Sequence, residues 1–133
     1  MLSFPAMADV LIVDDDTDIA ELLTMVLQQD GHEVRVAYDG TTGLALAREH
    51  LPSLVLLDVE MPIMNGPDMA LRMLVEDCGL ESVPIILSSA VPYLDRVAED
   101  VGTPYFLKKP YDADALSDLV TRALEEKTPP TPL

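Results

Sequence analysis

The chain has 133 residues, 49% of them hydrophobic, with 8 Lys and Arg against 24 Asp and Glu. This is one domain's worth of chain with enough apolar side chains for a core. A formal net charge of −16 excludes a nucleic-acid surface, which needs clustered cations to meet phosphates, and favours cations or basic partners instead.

No apolar run approaches the ~20 residues of a membrane span. Residues 1–7 lack the basic start and long apolar core of a signal peptide and are read as an N-terminal extension. The single cysteine, Cys78, rules out an internal disulfide and suits a reducing cytoplasm. It is read as a small buried or loop residue rather than a reactive thiol.

Val10-Leu11-Ile12-Val13 is a short, wholly apolar run ending in Asp14-Asp15-Asp16, the pattern of a strand buried on both faces. Ile19, Leu22, Leu23, Val26 and Leu27 then repeat at helical spacing from Thr17 to Gln29. Thr17 or Asp18 is the expected cap, with Glu21 completing a capping box and Asp30-Gly31 the stop. From His32 to Ala37 polar and apolar residues alternate, which marks an edge strand with one wet face. A second helix follows from Gly40 to about His50, with Leu44, Ala45 and Ala47 inward.

Leu54-Val55-Leu56-Leu57 is the third strand, and it runs directly into Asp58. Asn65-Gly66-Pro67 turns the chain into a third helix ending near Asp77. Pro84 to Leu87 is a fourth strand leading to Ser88-Ser89-Ala90. A short helix spans about Tyr93 to Val101, and Tyr105-Phe106-Leu107 is a short fifth strand before Lys108-Lys109-Pro110. The last helix opens at Asp112 with Leu116, Leu119, Val120, Ala123 and Leu124 on one stripe. Residues 128–133 are Pro-rich and expected to be a disordered tail.

Five strands alternating with five helices predict an α/β, doubly wound, flavodoxin-like fold. Three apolar strands belong in the centre and the alternating one at the edge. Right-handed crossovers then give a parallel sheet of order 2-1-3-4-5 with helices on both faces. The topological switch point falls between strands one and three, whose carboxyl ends carry Asp14, Asp15 and Asp58. Charges about 4 Å apart repel by about 4 kcal/mol at an effective dielectric near 20, against a total domain stability of about 5–15 kcal/mol. An oxygen-only, shallow cluster of this kind calls for a cation, and Mg²⁺ or Mn²⁺ fits its donors. The plainer reading, that Asp14 to Asp16 only cap a helix, leaves the carboxylate on the neighbouring strand unexplained.

Lys109, after the fifth strand, points to the same rim and can pair with Asp58 or with an anion placed on it. Ser89 offers a hydroxyl there, and Pro110 is a candidate for a cis peptide bond. A metal, a lysine and a hydroxyl around one aspartate can stabilise a transferring phosphoryl group, with Asp58 as nucleophile forming an acyl phosphate.

The motifs Val13-Asp14-Asp15-Asp16, Leu57-Asp58-Val59-Glu60-Met61-Pro62 with Gly66, Ser89-Ala90, and Phe106-Leu107-Lys108-Lys109-Pro110 stand in order at four strand ends. In this the chain resembles the receiver domain of bacterial two-component response regulators over residues 8–127. The resemblance implies that Asp58 accepts a phosphoryl group from a histidine kinase or a histidine phosphotransfer protein. It implies that Asp14, Asp15, Asp58 and the backbone carbonyl of Glu60 hold the metal and that Lys109 contacts the phosphoryl group. Ser89 and Phe106 are the implied switch pair, and a protein partner reads the face formed by the fourth helix, fifth strand and fifth helix. Only residues 128–133 follow the last helix, so the expectation is a stand-alone module in the cytoplasm, a monomer or weak dimer, with no output domain.

Some positions depart from the family pattern. Phe106 has no hydroxyl, so a switch there works by packing, and an ordinary core aromatic is the plainer reading. Ser88 competes with Ser89 as the switch hydroxyl, with Ser89 preferred because Ala90 follows it. The interval from Ser89 to Lys109 is shorter than the family's, and the shortage falls between Ala90 and Gly102 around Pro92. Glu60 and Val91 sit where they can tune dephosphorylation. Met61, Met64, Met69 and Met73 are read as core filling, Lys108 as a solvated neighbour, and His32 and His50 as loop and helix-end residues.

Other function classes fit less well. A haloacid-dehalogenase-like phosphatase places a second aspartate where this chain has Glu60, and needs a cap domain for which there is no room. A receiver-like scaffold that works without phosphorylation agrees with the shortened segment but not with the intact Asp58, Asp15 and Lys109 set. A flavin carrier requires a Gly/Ser/Thr-rich phosphate loop after strand one, which is missing.

Overall fold

The computed structural model describes residues 8–76 and 79–132. The expected extension at residues 1–7, the reading of Cys78 and the expected helix end near Asp77 lie outside them. The elements are β1 (Asp9–Val13), α1 (Thr17–Gln29), β2 (Glu33–Ala37), α2 (Gly40–Glu49), β3 (Leu54–Leu57), α3 (Gly66–Val75), β4 (Ile85–Ser89), α4 (Leu94–Val101), β5 (Tyr105–Lys108) and α5 (Ala113–Glu126). A single 3₁₀ turn at Leu80–Ser82, not foreseen from the sequence, leads into β4.

The strands form one parallel sheet of order β2-β1-β3-β4-β5, as expected. Side-chain alternation divides each apolar strand between two cores. Leu11, Val13, Val55, Leu57, Ile85 and Leu87 pack under α2, α3 and α4. Val10, Ile12, Leu54, Leu56, Ile86 and Tyr105 pack under α1 and α5. This is why the central strands read as unbroken apolar runs: neither face meets water. β2 has one partner strand and keeps its polar residues outward. Its Arg35 pairs with Asp9 through two nitrogens at 3.1 and 2.9 Å and donates to the carbonyls of Leu46 and His50, both at 2.7 Å, so it closes the end of α2.

Several local expectations are corrected. Asp16, not Thr17 or Asp18, caps α1, its carboxylate accepting from the N–H groups of Asp18 and Ile19. Ala45 faces solvent, and Gly43 takes the inward place, because its missing Cβ lets α2 approach Val13 to within 2.8 Å of where that atom would lie. Met61, Met69 and Met73 are core residues with Met64 packed against them, as read. Residues 128–132, expected to be disordered, return to the end of α4. There the Thr131 N–H donates to the Gly102 carbonyl at 2.9 Å, and Pro130 is buried.

The register places the future site. Val13 and Leu57 are partners in the β1–β3 ladder. The next residues, Asp14 and Asp58, therefore leave the sheet at the same level, and the Asp58 N–H donates to the Val13 carbonyl at 2.9 Å. Gly66 closes the loop behind Asp58: its N–H donates to Val59 O at 3.0 Å, and a Cβ there would lie 2.2 Å from the carbonyl oxygen of Asp58. Backbone cannot retreat from such a clash as a flexible side chain can. Gly66→Ala should cost about 1–3 kcal/mol of stability and displace Asp58. Urea denaturation checks the first part, and a loss below ~0.5 kcal/mol would show that the loop moves aside freely.

Candidate functional site

Asp14, Asp15 and Asp58 each offer a carboxylate oxygen, and these oxygens lie within 4.8 Å of one another. Asp14 and Asp58 are buried, whereas Asp15 faces solvent. One face of the cluster is therefore set in the fold and the other is open. Asp14 accepts the N–H of Asp16 at 2.9 Å on one oxygen and the Lys109 ammonium at 2.8 Å on the other. Lys109 lies 3.9 Å from Asp58. In this structure the lysine is thus bonded to Asp14 and only adjacent to Asp58.

Three elements bring Lys109 there. Its N–H donates to the Ser89 carbonyl at 2.9 Å, prolonging the β4–β5 ladder beyond its last pair, Ser89 and Lys108. The Lys109–Pro110 peptide bond is cis. Asp112 then caps α5 through the Ala115 N–H at 2.8 Å.

The environment sets the charges. Burial raises the pKa of Asp58 from 3.8 to about 6; the ammonium of Lys109 opposes this, Asp14 adds to it, the backbone N–H of Glu60 opposes it, and Asp15 adds a little more. For Lys109, burial works against the charged form. The hydrogen bond to Asp14 and the charges of Asp58 and Asp14 outweigh it, and the pKa lies above the usual 10.5.

Ser89 is buried at the end of β4 and accepts the Val91 N–H at 3.4 Å. Ser88, the competing hydroxyl, is committed elsewhere: it shares a 2.8 Å hydrogen bond with Tyr111. Phe106 is 42% exposed on edge strand β5, while its neighbours Tyr105 and Leu107 join the α1–α5 core. The reading of Phe106 as a core aromatic is therefore corrected: β5 is the last strand of the sheet, and on the face opposite Tyr105 its side chain is left partly open to solvent. Lys108 is exposed, as read. Asp15, Glu60, Met61, Pro62, Asn65 and Tyr93 rim a shallow cavity of about 510 Å³ at the mouth.

Two residues here escaped the sequence reading. Tyr93 stands at the rim, and no local pattern announces it. Tyr111 is half-buried, and its pKa is raised by burial above 10.0; the Ser88 hydrogen bond and Lys109 oppose that, and Asp14 and Asp58 add to it. Its signal was Ser88 itself, a hydroxyl interrupting an apolar strand and therefore in need of a partner.

The cluster fits a hard divalent cation: every donor is oxygen, the arrangement is open on one side, and three carboxylates face a single lysine. Without a cation the charge of Asp58 is a burden on the fold. Between pH 3.8, its unfolded value, and about 6, the folded chain binds more protons than the unfolded chain, so stability falls as pH rises. Asp58→Asn should stabilise the chain at pH 7–8 by about 1–2 kcal/mol, a figure reduced for solvent screening. It should also flatten the profile between about pH 4 and 6. Urea denaturation across pH in the presence of a chelator measures both, and identical profiles would refute the burden.

The family model described as the response regulator receiver domain matches residues 10–121. Protein PilH of Pseudomonas aeruginosa is 36% identical over 123 residues, which cover 89% of this chain and 98% of that protein. Sporulation initiation phosphotransferase F of Bacillus subtilis is 34% identical over 121 residues, covering 90% and 95%. Among solved structures, chemotaxis protein CheY4 of Vibrio cholerae superposes with a TM-score of 0.80 at 30% identity, over 88% of this chain and 98% of that one. With the sheet order, the acid cluster and these matches together, the chain belongs to the response regulator receiver domain family.

Proposed function

We propose that residues 8–127 form a phosphoaccepting switch that takes a phosphoryl group from a histidine kinase or a histidine phosphotransfer protein onto Asp58. The observation that carries this reading is the placement of Lys109 between Asp14 and Asp58, at 2.8 and 3.9 Å, beside an open acid cluster. A carboxylate oxygen of Asp58 attacks phosphorus, the phosphorus–nitrogen bond to the donor imidazole breaks, and the imidazole regains a proton from solvent. Asp14, Asp15, Asp58 and the backbone carbonyl of Glu60 would hold Mg²⁺ or Mn²⁺. When bound, such an ion neutralises charge on the phosphoryl oxygens.

Lys109 needs to move little to leave Asp14 for the new group. Ser89 supplies a hydroxyl to it, and Phe106, 42% exposed, turns inward behind Ser89. The surface of α4, β5 and α5 then changes, and a protein partner reads it. Water later attacks the acyl phosphate, releasing inorganic phosphate and restoring the carboxylate. A relative that carries the name phosphotransferase supports the relay reading, and one named a chemotaxis protein supports output through a protein partner. The single cysteine of the chain suits a cytoplasmic place.

Intact mass after incubation with acetyl phosphate and Mg²⁺ is the direct test. The expected result is a gain of one phosphoryl group that requires Mg²⁺ and is lost in Asp58→Asn. No adduct, together with no binding of beryllofluoride, would support the phosphorylation-independent scaffold instead.

A further inference from the structure

We infer that Tyr111 is a positioning residue for Lys109 and that it acts through its hydrogen bond to Ser88. The inference rests on the receiver reading and extends it to a pair of hydroxyls outside the four motifs.

The argument begins with β4. Ile85, Ile86 and Leu87 are fully buried, and Ser88, at 1% exposure, continues the same strand. A hydroxyl in that position needs a partner, and it finds the Tyr111 hydroxyl at 2.8 Å. Packing alone would be served as well by an apolar residue at 88 and a phenylalanine at 111. The two hydroxyls together add direction, which packing does not.

That direction bears on Lys109. The segment from Lys109 to Tyr111 bridges the end of β5 and the cap of α5. It is fastened to β4 twice: the Lys109 N–H bonds the Ser89 carbonyl at 2.9 Å, and the Tyr111 hydroxyl bonds the Ser88 hydroxyl. The two anchor points are adjacent residues of one strand. They bracket the backbone from which the Lys109 side chain reaches Asp14 and Asp58. The aromatic ring of Tyr111 packs against the α1–α5 core, so the second anchor is itself held. Its hydroxyl lies near enough for Lys109, Asp14 and Asp58 all to act on it electrostatically. Removing the second anchor leaves the backbone bond intact but lets the segment pivot about it, and phosphoryl-transfer chemistry is sensitive to such displacements.

The test separates Lys109 from the metal ligands. Mg²⁺ affinity depends on the carboxylates, whereas binding of beryllofluoride, a phosphoryl mimic, and labelling by acetyl phosphate also depend on Lys109. Tyr111→Phe, Ser88→Ala and the double variant are compared with wild type in all three assays. Each single variant should weaken beryllofluoride binding and slow labelling at saturating Mg²⁺ by about tenfold, the size of one lost hydrogen bond. Mg²⁺ affinity should stay within about twofold, and the double variant should be no worse than either single one. Unchanged labelling and beryllofluoride binding would overturn the inference, as would Mg²⁺ affinity falling in parallel, which would mark a general loosening of the site. A wild type that takes no phosphoryl group fails the receiver reading itself, and this inference with it.

Discussion

Mutual repulsion of three carboxylates is the constraint around which this domain is arranged. The β1–β3 register forces Asp14 and Asp58 to emerge side by side, and Asp15 follows at once. At this separation each pair repels by a few kcal/mol even at a surface-like dielectric. The fold supplies partial relief: one ammonium, the N–H of Asp16 to Asp14, and the N–H of Glu60 to Asp58. Three negative charges against one positive leave a site whose charge and oxygen donors fit a divalent cation. Burial first, with Asp14 and Asp15 adding to it against Lys109, raises the pKa of Asp58 to about 6. A cation held there would offset the stability given up, the usual relation between a functional site and the fold that carries it.

The end of β4 distributes this site between the two layers of the molecule. Ser88 and Ser89 are adjacent, so their side chains leave opposite faces of the sheet. Ser89 leads to Val91 and the start of α4, and Ser88 leads to Tyr111 and the α1–α5 layer. β5 repeats the division. Tyr105 is buried under α5, where its hydroxyl bonds Glu126 at 2.9 Å and Arg122 lies 5.4 Å from its ring, whereas Phe106 on the other face is left half-exposed. The two serines thus couple the end of β4 to both layers, and the exposed side chain of β5 lies on the same face as Ser89.

What the sequence revealed and what it hid follow from the range of the interactions. The strands and their order were legible because burial on both faces leaves unbroken apolar runs, as in Leu54 to Leu57, and an edge leaves alternation, as in Glu33 to Ala37. The acid cluster was legible because strand order alone brings Asp14 and Asp58 together. The cap of α1 went to Asp16 rather than its neighbours because the chain leaves β1 with an extended residue there (φ −83°, ψ 106°), and that residue faces the free N–H groups. The seat of residues 128–132 was hidden because it depends on Gly102, remote in sequence, at φ +85° and without a Cβ to block Thr131. Tyr111 was hidden for the same reason: its role exists only once β4 and β5 are paired.

The stretch between Ala90 and Gly102 stands apart from the rest of the chain in its capping pattern. α1, α2, α3 and α5 each begin with an aspartate or asparagine whose side chain accepts backbone N–H groups: Asp16, Asp39, Asn65 and Asp112. α4 begins at Tyr93 with no side-chain cap and has eight residues. A missing cap is worth about 1 kcal/mol, and a helix of two turns has few internal bonds to compensate. α4 therefore has the least secured start of the five, and it is the helix that follows Ser89. Moving a switch from 1:99 to 99:1 requires about 5.5 kcal/mol of differential stabilisation. A receiver can reduce the part spent on deformation by leaving the element next to the phosphoryl site weakly anchored. The uncapped start of α4 thus differs from the aspartate- and asparagine-capped starts of the helices that follow β1, β2, β3 and β5.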